Sequence, residues 1–323
     1  SGGGGAVSAE FEVLAVARDN HLQSQGRGIP KWLTVTPMSG LVSPGQAVTV
    51  TVSIAVTENT RGVAEALVCS GEAGALSTEL LLRVKGGRDH IISVQGSYTP
   101  STFGLPLPLL LSLQRPLATY SPAQLAQARD SYAAADKCGL WSVPKEVVRL
   151  MQALVSRQAL KSPGLFPLSP SEPLTASHPT TSAGHISTIR VCLDSGADIP
   201  ASVPLPAISH ALLLFLFALP SPVFPQTMPV FGNDEMDLGD WTRAALTFLP
   251  DEQYFLCIYV IAFLREVVRN ASTTEIAPEW LSFVFATALT QCSSPQDLFN
   301  VYQPTSVQAL IHHLIVAPDL GAR

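Results

Sequence analysis

Between residues 48 and 56, apolar and small residues alternate along the chain. The regularly spaced apolar positions are Val48, Val50, Val52, Ile54 and Val56. A two-residue period of this kind is typical of a β-strand with one buried face. Further short strands are predicted at 32–36, 79–84 and 90–94, with a turn at Pro44-Gly45 and a hairpin connection over Gly86–Asp89. This spacing predicts a β-sandwich of about 90 residues.

After residue 142 the apolar period becomes helical. Val147, Leu150, Met151 and Leu154 lie on one face of a predicted helix, which begins near Pro144. Six more helices are predicted at 184–194, 206–219, 238–249, 251–270, 276–289 and 305–316. The second half of the chain is therefore predicted to be all-α.

These two patterns divide the chain into four parts. Residues 1–10 are predicted to be a flexible leader, and residues 11–104 form the β-domain. Residues 105–141 are rich in proline and are interpreted as a linker that includes a helix near 119–135. Residues 142–323 form the helical domain, which contains a loop rich in serine and proline at 161–182.

Composition supports two folded domains and restricts the kinds of partner. Hydrophobic residues make up 47% of the 323 residues and charged residues 14%, which is enough apolar material for two cores. The net charge of -6 would repel nucleic acid and gives no attraction to an anionic membrane surface. The longest apolar stretch, Ala211–Leu219, is about half the length that a membrane crossing needs.

No residue pattern in the chain points to a cofactor, a metal or a catalytic centre. The five cysteines are far apart and form no CxxC pair, a distribution typical of reduced, buried thiols in a cytoplasmic protein. Phosphate-binding loops, nucleophile elbows and zinc-ligand motifs are absent from the sequence. We therefore expect no cofactor and no metal.

Several segments resemble the type II inositol polyphosphate 5-phosphatases. Residues 86–104 resemble the closing strand of that family's ASH domain, and Trp32–Val35 fits an earlier part of it. Val143–Glu146 is similar to the start of the family's RhoGAP-like domain. The sequence Ala211–Leu216, followed by Leu219–Val223, is similar to a RhoGAP helix that ends in Leu-Pro-x-Pro. The resemblance implies an immunoglobulin-like β-sandwich, the ASH domain, followed by an all-α RhoGAP-like domain.

The resemblance also implies that the RhoGAP-like domain is catalytically inactive. Active members insert an arginine into the GTPase, and that arginine contributes a rate factor of roughly 10³–10⁵. It follows a Gly-x-Phe turn, whereas here Gly164-Leu165-Phe166 is followed by Pro167. The family's asparagine position corresponds to Ala288, and Arg243 keeps the charge of a third contact position. Such a domain would bind a GTPase without activating it.

Partners are implied in the same way. Gly87 and Ile91 occupy the positions through which the family's ASH domain contacts Rab GTPases, although the counterpart of Ile91 is usually aromatic. Val148 occupies the place of a tryptophan in the groove that binds the Phe-and-His motifs of endocytic adaptors. The family also contacts Rho-family and Arf GTPases through its RhoGAP-like domain.

We therefore predict a non-catalytic protein-interaction and targeting module. It would bring a phosphatidylinositol 4,5-bisphosphate 5-phosphatase, whose catalytic domain would precede Ser1, to endosomes, Golgi, plasma membrane or cilium. The chain itself would be cytoplasmic and recruited peripherally through its partners. The alternative is an active Rho GTPase-activating protein that uses a non-standard arginine, for which Arg190 is a candidate; the sequence favours a helix-surface role for that side chain.

Overall fold

The computed structural model describes residues 8–16, 29–56, 75–134, 142–161, 163, 165–166, 183–225, 237–270, 275–292 and 304–317. The chain divides into two compact units, Ser1–Pro100 and Ser101–Arg323. We refer to them as the β-unit and the helical unit.

The described part of the β-unit contains two antiparallel sheets. Its six strands are β1 (Ala9–Ala15), β2 (Leu33–Thr36), β3 (Ser39–Val42), β4 (Thr51–Ile54), β5 (Ala75–Val84) and β6 (His90–Ser97). One sheet has the order β3-β1-β5-β6, and the other pairs β2 with β4. Within the described residues, β3 and β6 are therefore the edge strands of the larger sheet.

Both sheets of the β-unit contribute to one apolar core. The larger sheet supplies Phe11, Val13 and Leu80, and the smaller one supplies Leu33 and Val35, all of them buried. In β1 and β2 the buried residues alternate with more exposed ones, because successive side chains point to opposite faces. Two sheets that share one core in this way confirm the predicted sandwich.

Nine helices make up the described part of the helical unit. They are α1 (Leu107–Ser112), α2 (Pro122–Ala134), α3 (Lys145–Ser156), α4 (Ala183–Ser195), α5 (Leu205–Ala218), α6 (Leu238–Phe248), α7 (Asp251–Arg269), α8 (Pro278–Thr290) and α9 (Pro304–Val316). Seven of them begin at or directly after a proline, which is favoured there because the first helical N–H groups have no partner within the helix. The predicted all-α domain is confirmed.

Helix α5 lies at the centre of this unit. Every residue from Ala207 to Ala218 is buried, so the helix is apolar on all sides, as expected for a helix surrounded by protein. Phe215 packs edge-to-face against Phe103, with 5.2 Å between the ring centroids. Helices α3, α4 and α8 pack against α5, so the sequence that resembles the RhoGAP motif lies in the core of the unit.

The structure differs from the predicted domain boundaries in two places. Ala9 and Glu10, predicted as leader, belong to β1, while residues 1–7 lie outside the described residues. Residues 101–134, predicted as the end of the β-domain and a linker, belong to the helical unit. The physical reason is burial, because α1 packs its leucines into the unit. Thr102 is also fixed there, since its N–H and hydroxyl donate to Asp194 Oδ1 at 2.7 and 2.8 Å.

Other features agree with the sequence only in part. The strand predicted over 48–56 is formed only by Thr51–Ile54, and the predictions lacked β1, β3 and α1. The described cysteines Cys192, Cys257 and Cys292 are buried free thiols, whereas Cys69 and Cys138 lie outside the described residues. Within the described ranges, no helix is long and apolar enough to cross a membrane. The same ranges contain no group of three or more side chains arranged to hold a metal ion.

Candidate binding surfaces

An apolar row crosses the outer face of the larger sheet in the β-unit. Leu14 of β1 is paired with Leu81 of β5, which in turn is paired with Ile91 of β6. Directly paired residues of antiparallel strands point to the same side of a sheet, so these three side chains lie next to one another. Ile91 is 67% exposed, while Leu14 and Leu81 are half-buried. We call these three residues the apolar row; it ends at the edge strand β6.

A band of charged residues runs beside the apolar row. Lys85 Nζ lies 3.0 Å from Glu10 Oε2, and Arg83 Nε lies 3.5 Å from Asp89 Oδ2. All four side chains are largely exposed, so each pair contributes only about 0–1 kcal/mol to stability. The outer face therefore combines an exposed aliphatic centre with a polar border, which is the usual anatomy of a protein-binding surface.

The β5–β6 turn presents the second predicted contact residue. Gly86 has φ +76°, in the left-handed region that favours glycine. Gly87 is exposed, and its N–H donates to the carbonyl oxygen of Val84 at 2.9 Å. A Cβ at Gly87 would lie 3.2 Å from the Val84 side chain, so a larger residue would crowd the turn. The turn places Gly87 three residues before β6, and Ile91 lies within that strand.

In the helical unit, the turn that would precede a catalytic arginine is anchored to the core. Leu165 and Phe166 are buried, and the Phe166 ring packs edge-to-face on Phe285 of α8 with 5.3 Å between centroids. The hydroxyl of Ser209 on α5 donates to the Leu165 carbonyl. Pro167 follows in sequence and lies outside the described residues. The turn is thus held from two helices up to the residue before the predicted arginine-finger position.

The remaining predicted positions lie on three different helices. Ala288 of α8 is fully buried, so its methyl group is not accessible to a partner. Arg243 of α6 is exposed and paired with Asp240, with 2.8 Å between Nη1 and Oδ1. Val148 of α3 is half-buried. Arg243 and Val148 lie on different helices, so each is a separate predicted contact.

Three arginines of the helical unit bind backbone carbonyls, two of them at the ends of helices. Arg149 donates to Cys192 at the end of α4, and Arg265 donates to Leu314 at the end of α9. Arg157 donates to carbonyls of the segment that joins α4 to α5, including Val203 at 3.1 Å. The last carbonyls of a helix lack partners within the helix and carry partial negative charge, which a guanidinium neutralises. These arginines are structural, and the sequence alone gave no sign of this role.

Arg190 is also engaged within the unit. Its Cζ lies 4.6 Å from the centroid of the Phe103 ring, and its Nε is buried. Asp194, one turn along α4, interacts with it electrostatically. Arg190 thus lies on a helix as predicted, although its side chain is half-buried and stacked on Phe103 rather than fully exposed. In this position it does not project as a free cation.

A buried carboxyl group adjoins this arginine-rich region. Glu146 of α3 is 1% exposed, and neither side-chain oxygen has a hydrogen-bond partner. Burial raises the pKa of the Glu146 carboxyl, with a smaller contribution in the same direction from Asp194. Lys145 and Arg149 act in the opposite direction. The position inside the core thus disfavours the charged form of this carboxyl group.

Comparison with known families agrees with this geometry. Residues 4–98 match the family model described as the ASH domain of the OCRL-like inositol polyphosphate 5-phosphatases. Residues 144–294 match the RhoGAP domain. The chain is thus a two-domain protein with an ASH-type β-domain followed by a RhoGAP-like helical domain.

One curated relative is similar to most of the chain. The type II inositol 1,4,5-trisphosphate 5-phosphatase of Mus musculus is 24% identical over 298 residues, which cover 89% of this chain and 28% of the relative. With its two matched domains, this chain is similar to the ASH and RhoGAP-like region of the type II inositol polyphosphate 5-phosphatases. It spans little more than a quarter of the length of that relative.

Two solved structures are also similar to part of the chain. Human Rho GTPase activating protein 15 has a TM-score of 0.42 and 16% identity, over 54% of this chain and 79% of that one. The BH domain of Graf, the GTPase regulator associated with focal adhesion kinase, has a TM-score of 0.40 and 14% identity, over 53% and 88%.

Proposed function

We propose that this chain is a non-catalytic binding and targeting module of an inositol polyphosphate 5-phosphatase. The β-unit binds GTP-loaded Rab GTPases through Gly87 and the apolar row. The helical unit binds Rho-family or Arf GTPases, with Arg243 as a contact, and does not accelerate GTP hydrolysis. The same unit binds Phe-and-His motifs of endocytic adaptors in a groove that includes Val148.

One observation carries the proposed lack of catalysis. The chain contains no arginine between Arg157 and Arg190, although the predicted finger position at Pro167 lies in that interval. Arg157 and Arg190 are themselves engaged, one with backbone carbonyls and the other with an aromatic ring. Stabilisation of the charge that develops during phosphoryl transfer requires a cation at the terminal phosphate. This observation supports binding without activation.

The proposed Rab binding is supported by the exposed aliphatic side chain of Ile91 at the end of the apolar row. Rab switch segments are ordered in the GTP-bound state, so binding to them depends on the nucleotide. We expect the chain to bind one or more Rab GTPases in the GTP-loaded state at least tenfold more tightly than in the GDP-loaded state. Equal affinity for both states across a panel of Rab GTPases would contradict the proposal.

Single-turnover GTP hydrolysis tests the absence of activation. Rho-family GTPases loaded with GTP are mixed with a saturating amount of the chain, and the rate is compared with that of the GTPase alone. We expect the two rates to agree within a factor of two. A binding measurement under the same conditions is needed, because a rate without binding would say nothing about catalysis.

The rival function is an active GTPase-activating protein with a non-standard arginine. Arg243 is a candidate for this arginine, because the resemblance places it at a contact position and 67% of its side chain is accessible. If the rival is correct, the chain accelerates hydrolysis and Arg243→Ala removes the acceleration. Under the proposed function, Arg243→Ala weakens GTPase binding and leaves the hydrolysis rate of the bound GTPase unchanged.

Membrane recruitment follows from these partners. The module would be cytoplasmic and reach endosomes, Golgi, plasma membrane or cilium through GTPases and adaptors. Fluorescently tagged chain should colocalise with such membranes, and Ile91→Asp should release it into the cytosol. Persistence of the mutant on membranes would argue against recruitment by Rab GTPases.

A further inference from the structure

The helical unit contains a cleft that none of the predicted contact residues lines. Its volume is about 220 Å³. The lining residues come from three segments of the chain: Pro106, Leu107, Pro108, Leu219, Ser221, Pro250, Glu252 and Gln253. The segments are the start of α1, the turn after α5 and the start of α7, so the cleft lies where three helix ends meet.

The walls of the cleft are apolar and rigid. Three of its lining residues are prolines, whose rings fix the backbone torsion φ. Leu107 and Leu219 are buried in the unit. The Gln253 amide donates from Nε2 to the carbonyl oxygen of Pro222 at 3.2 Å, which ties the start of α7 to the turn after α5. A preformed apolar wall loses little entropy when it binds a ligand.

The cleft carries negative charge, because Glu252 is one of its lining residues. The Tyr132 hydroxyl donates to Glu252 Oε1 at 2.8 Å, which fixes the direction of the carboxylate. Burial and Glu252 both raise the pKa of the Tyr132 phenol, so its hydroxyl retains the donated proton. Asp251 is exposed beside Glu252, and no lysine, arginine or histidine lines the cleft. Phosphate groups and other anions are therefore unsuitable ligands, whereas a cation is favoured.

An exposed aromatic ring lies one helical turn further along α7. Phe255 is 45% exposed and is three residues after Glu252, so the two side chains are neighbours on the helix surface. A guanidinium can bind a carboxylate with its N–H groups and lie over an aromatic ring with its face. Glu252 and Phe255 together thus form a pair that suits arginine in a partner.

The volume of the cleft indicates which kind of ligand it can hold. Sites for small molecules and cofactors usually measure about 300–1,000 Å³. The smaller volume here suits one large aliphatic or aromatic side chain. We infer that the cleft between α1, α5 and α7 binds a short segment of a partner protein in which a large apolar side chain lies next to an arginine. The apolar side chain occupies the cleft, and the arginine binds Glu252 and Phe255.

Peptide titration followed by NMR tests this inference directly. The probes are the acetylated peptides Gly-Ser-Leu-Arg-Ser-Gly and Gly-Ser-Arg-Leu-Ser-Gly, added to the isotope-labelled full chain. We expect at least one of them to shift the signals of Leu107, Leu219 and Phe255. Replacement of the peptide's arginine by glutamate should weaken binding at least fivefold, and replacement of its leucine by alanine should do the same.

Two variants and a matched control locate the binding. Ser221→Trp fills the cleft from an exposed position and should weaken binding at least tenfold, and Glu252→Gln should weaken it about three- to tenfold. Glu266→Gln removes an exposed carboxylate elsewhere on α7 and should change binding less than twofold. Melting temperatures show that each variant is folded.

Three results would overturn the inference. The first is that no peptide shifts the cleft signals at millimolar concentration. The second is that the arginine and glutamate peptides bind equally well. The third is that a folded Ser221→Trp binds like the unmodified chain. None of these results bears on GTPase binding, because the residues proposed for that function lie elsewhere.

Discussion

The two units of the chain differ in how part of their arginines and lysines are bound. In the β-unit, Arg83 and Lys85 form exposed ion pairs across the outer face of a sheet, beside the apolar row. In the helical unit, Arg149, Arg157 and Arg265 bind the carbonyls of helix ends and of a connecting segment. The β-unit thus keeps its charges at a surface that a partner can reach, and the helical unit uses three arginines to hold its own helices together.

This difference matters because the RhoGAP fold is known for catalysis by an arginine. An arginine that binds backbone carbonyls within its own fold cannot also neutralise a phosphoryl group of a partner. The presence of eight arginines among the described residues of the helical unit therefore gives no indication of catalysis. Fold and function must be argued separately, residue by residue.

The largest expected effect is on the stability of the helical unit. Arg265→Ala removes two hydrogen bonds of 2.7 Å, to the carbonyls of Leu314 and Ala317 at the end of α9. Hydrogen bonds from charged groups to partly buried acceptors contribute about 1.5–3 kcal/mol each, so we expect a loss of about 3 kcal/mol. Urea denaturation of the chain measures the loss.

The matched control for this change is on the same helix. Arg269→Ala removes an exposed ion pair with Glu266 and should lower the free energy of unfolding by no more than about 0.5 kcal/mol. Equal losses for the two variants would show that the arginines of the helical unit are not distinguished by their contacts with helix ends.

The next effect is on binding by the β-unit. Ile91→Asp places a charge at the end of the apolar row and should weaken Rab binding about 30-fold or more, as expected for a central contact of about 2 kcal/mol. Because Ile91 is 67% exposed, the melting temperature should not change. Binding is measured by calorimetry with GTP-loaded Rab.

Leu41→Asp is the control for Ile91→Asp. Leu41 is 63% exposed and lies on β3, the opposite edge of the same sheet. The Leu41→Asp variant should bind Rab with the same affinity as the unmodified chain. If the two variants lose affinity equally, the contact is not at β6 and the proposed surface is wrong.

A smaller effect concerns pH and Glu146. The pKa of Glu146 is higher in the folded than in the unfolded state, so folding favours uptake of a proton by this carboxyl group. Its contribution to stability is therefore fully present below about pH 4.5 and is lost as the pH rises through the folded pKa. Glu146→Gln removes this contribution, and the difference in unfolding free energy between the variant and the unmodified chain should grow by at most about 1.4 kcal/mol per pH unit in that window.

Asp194, whose pKa is also raised by burial, is retained in both proteins. Urea denaturation at a series of pH values provides the measurement. A difference that does not depend on pH would mean that folding does not raise the pKa of Glu146.

The smallest effect is expected at the β5–β6 turn. Gly86→Ala forces a side chain into a left-handed conformation, with no atom within 4 Å of the new Cβ, and should cost about 1 kcal/mol of stability. Asparagine tolerates this conformation better, so Gly86→Asn should cost less. Thermal unfolding compares the two, and an equal loss would mean that the backbone conformation is not the cause.

Local patterns were sufficient to predict much of the fold. Helices α3 to α9 were predicted because apolar residues recur at helical spacing and most of these helices begin near a proline. Helix α1 was missed because Pro106 and Pro108 suggested an irregular linker, and its burial depends on partners that are distant in sequence. The strand of 51–54 was predicted too long, because alternation continues in the sequence beyond the residues that pair with β2.

The candidate surfaces were only partly visible in the sequence. The resemblance indicated Gly87 and Ile91, but Leu14 and Leu81 join Ile91 only through the pairing of three strands. Arg190 was taken for a surface residue because its contact with Phe103 joins residues 87 positions apart. The position of Pro167 lies outside the described residues, so its role remains a prediction from sequence.

The sequence alone determined the order of the two domains, the periodicity of their elements and the lack of an arginine after Phe166, since these are local properties of the chain. The tertiary structure decided which side chains are neighbours. It assembled the apolar row, directed Arg149, Arg157 and Arg265 to backbone carbonyls, buried Glu146 and formed the acidic cleft from three separate segments. Contacts of this kind depend on packing between residues that are far apart in sequence, which no local pattern records.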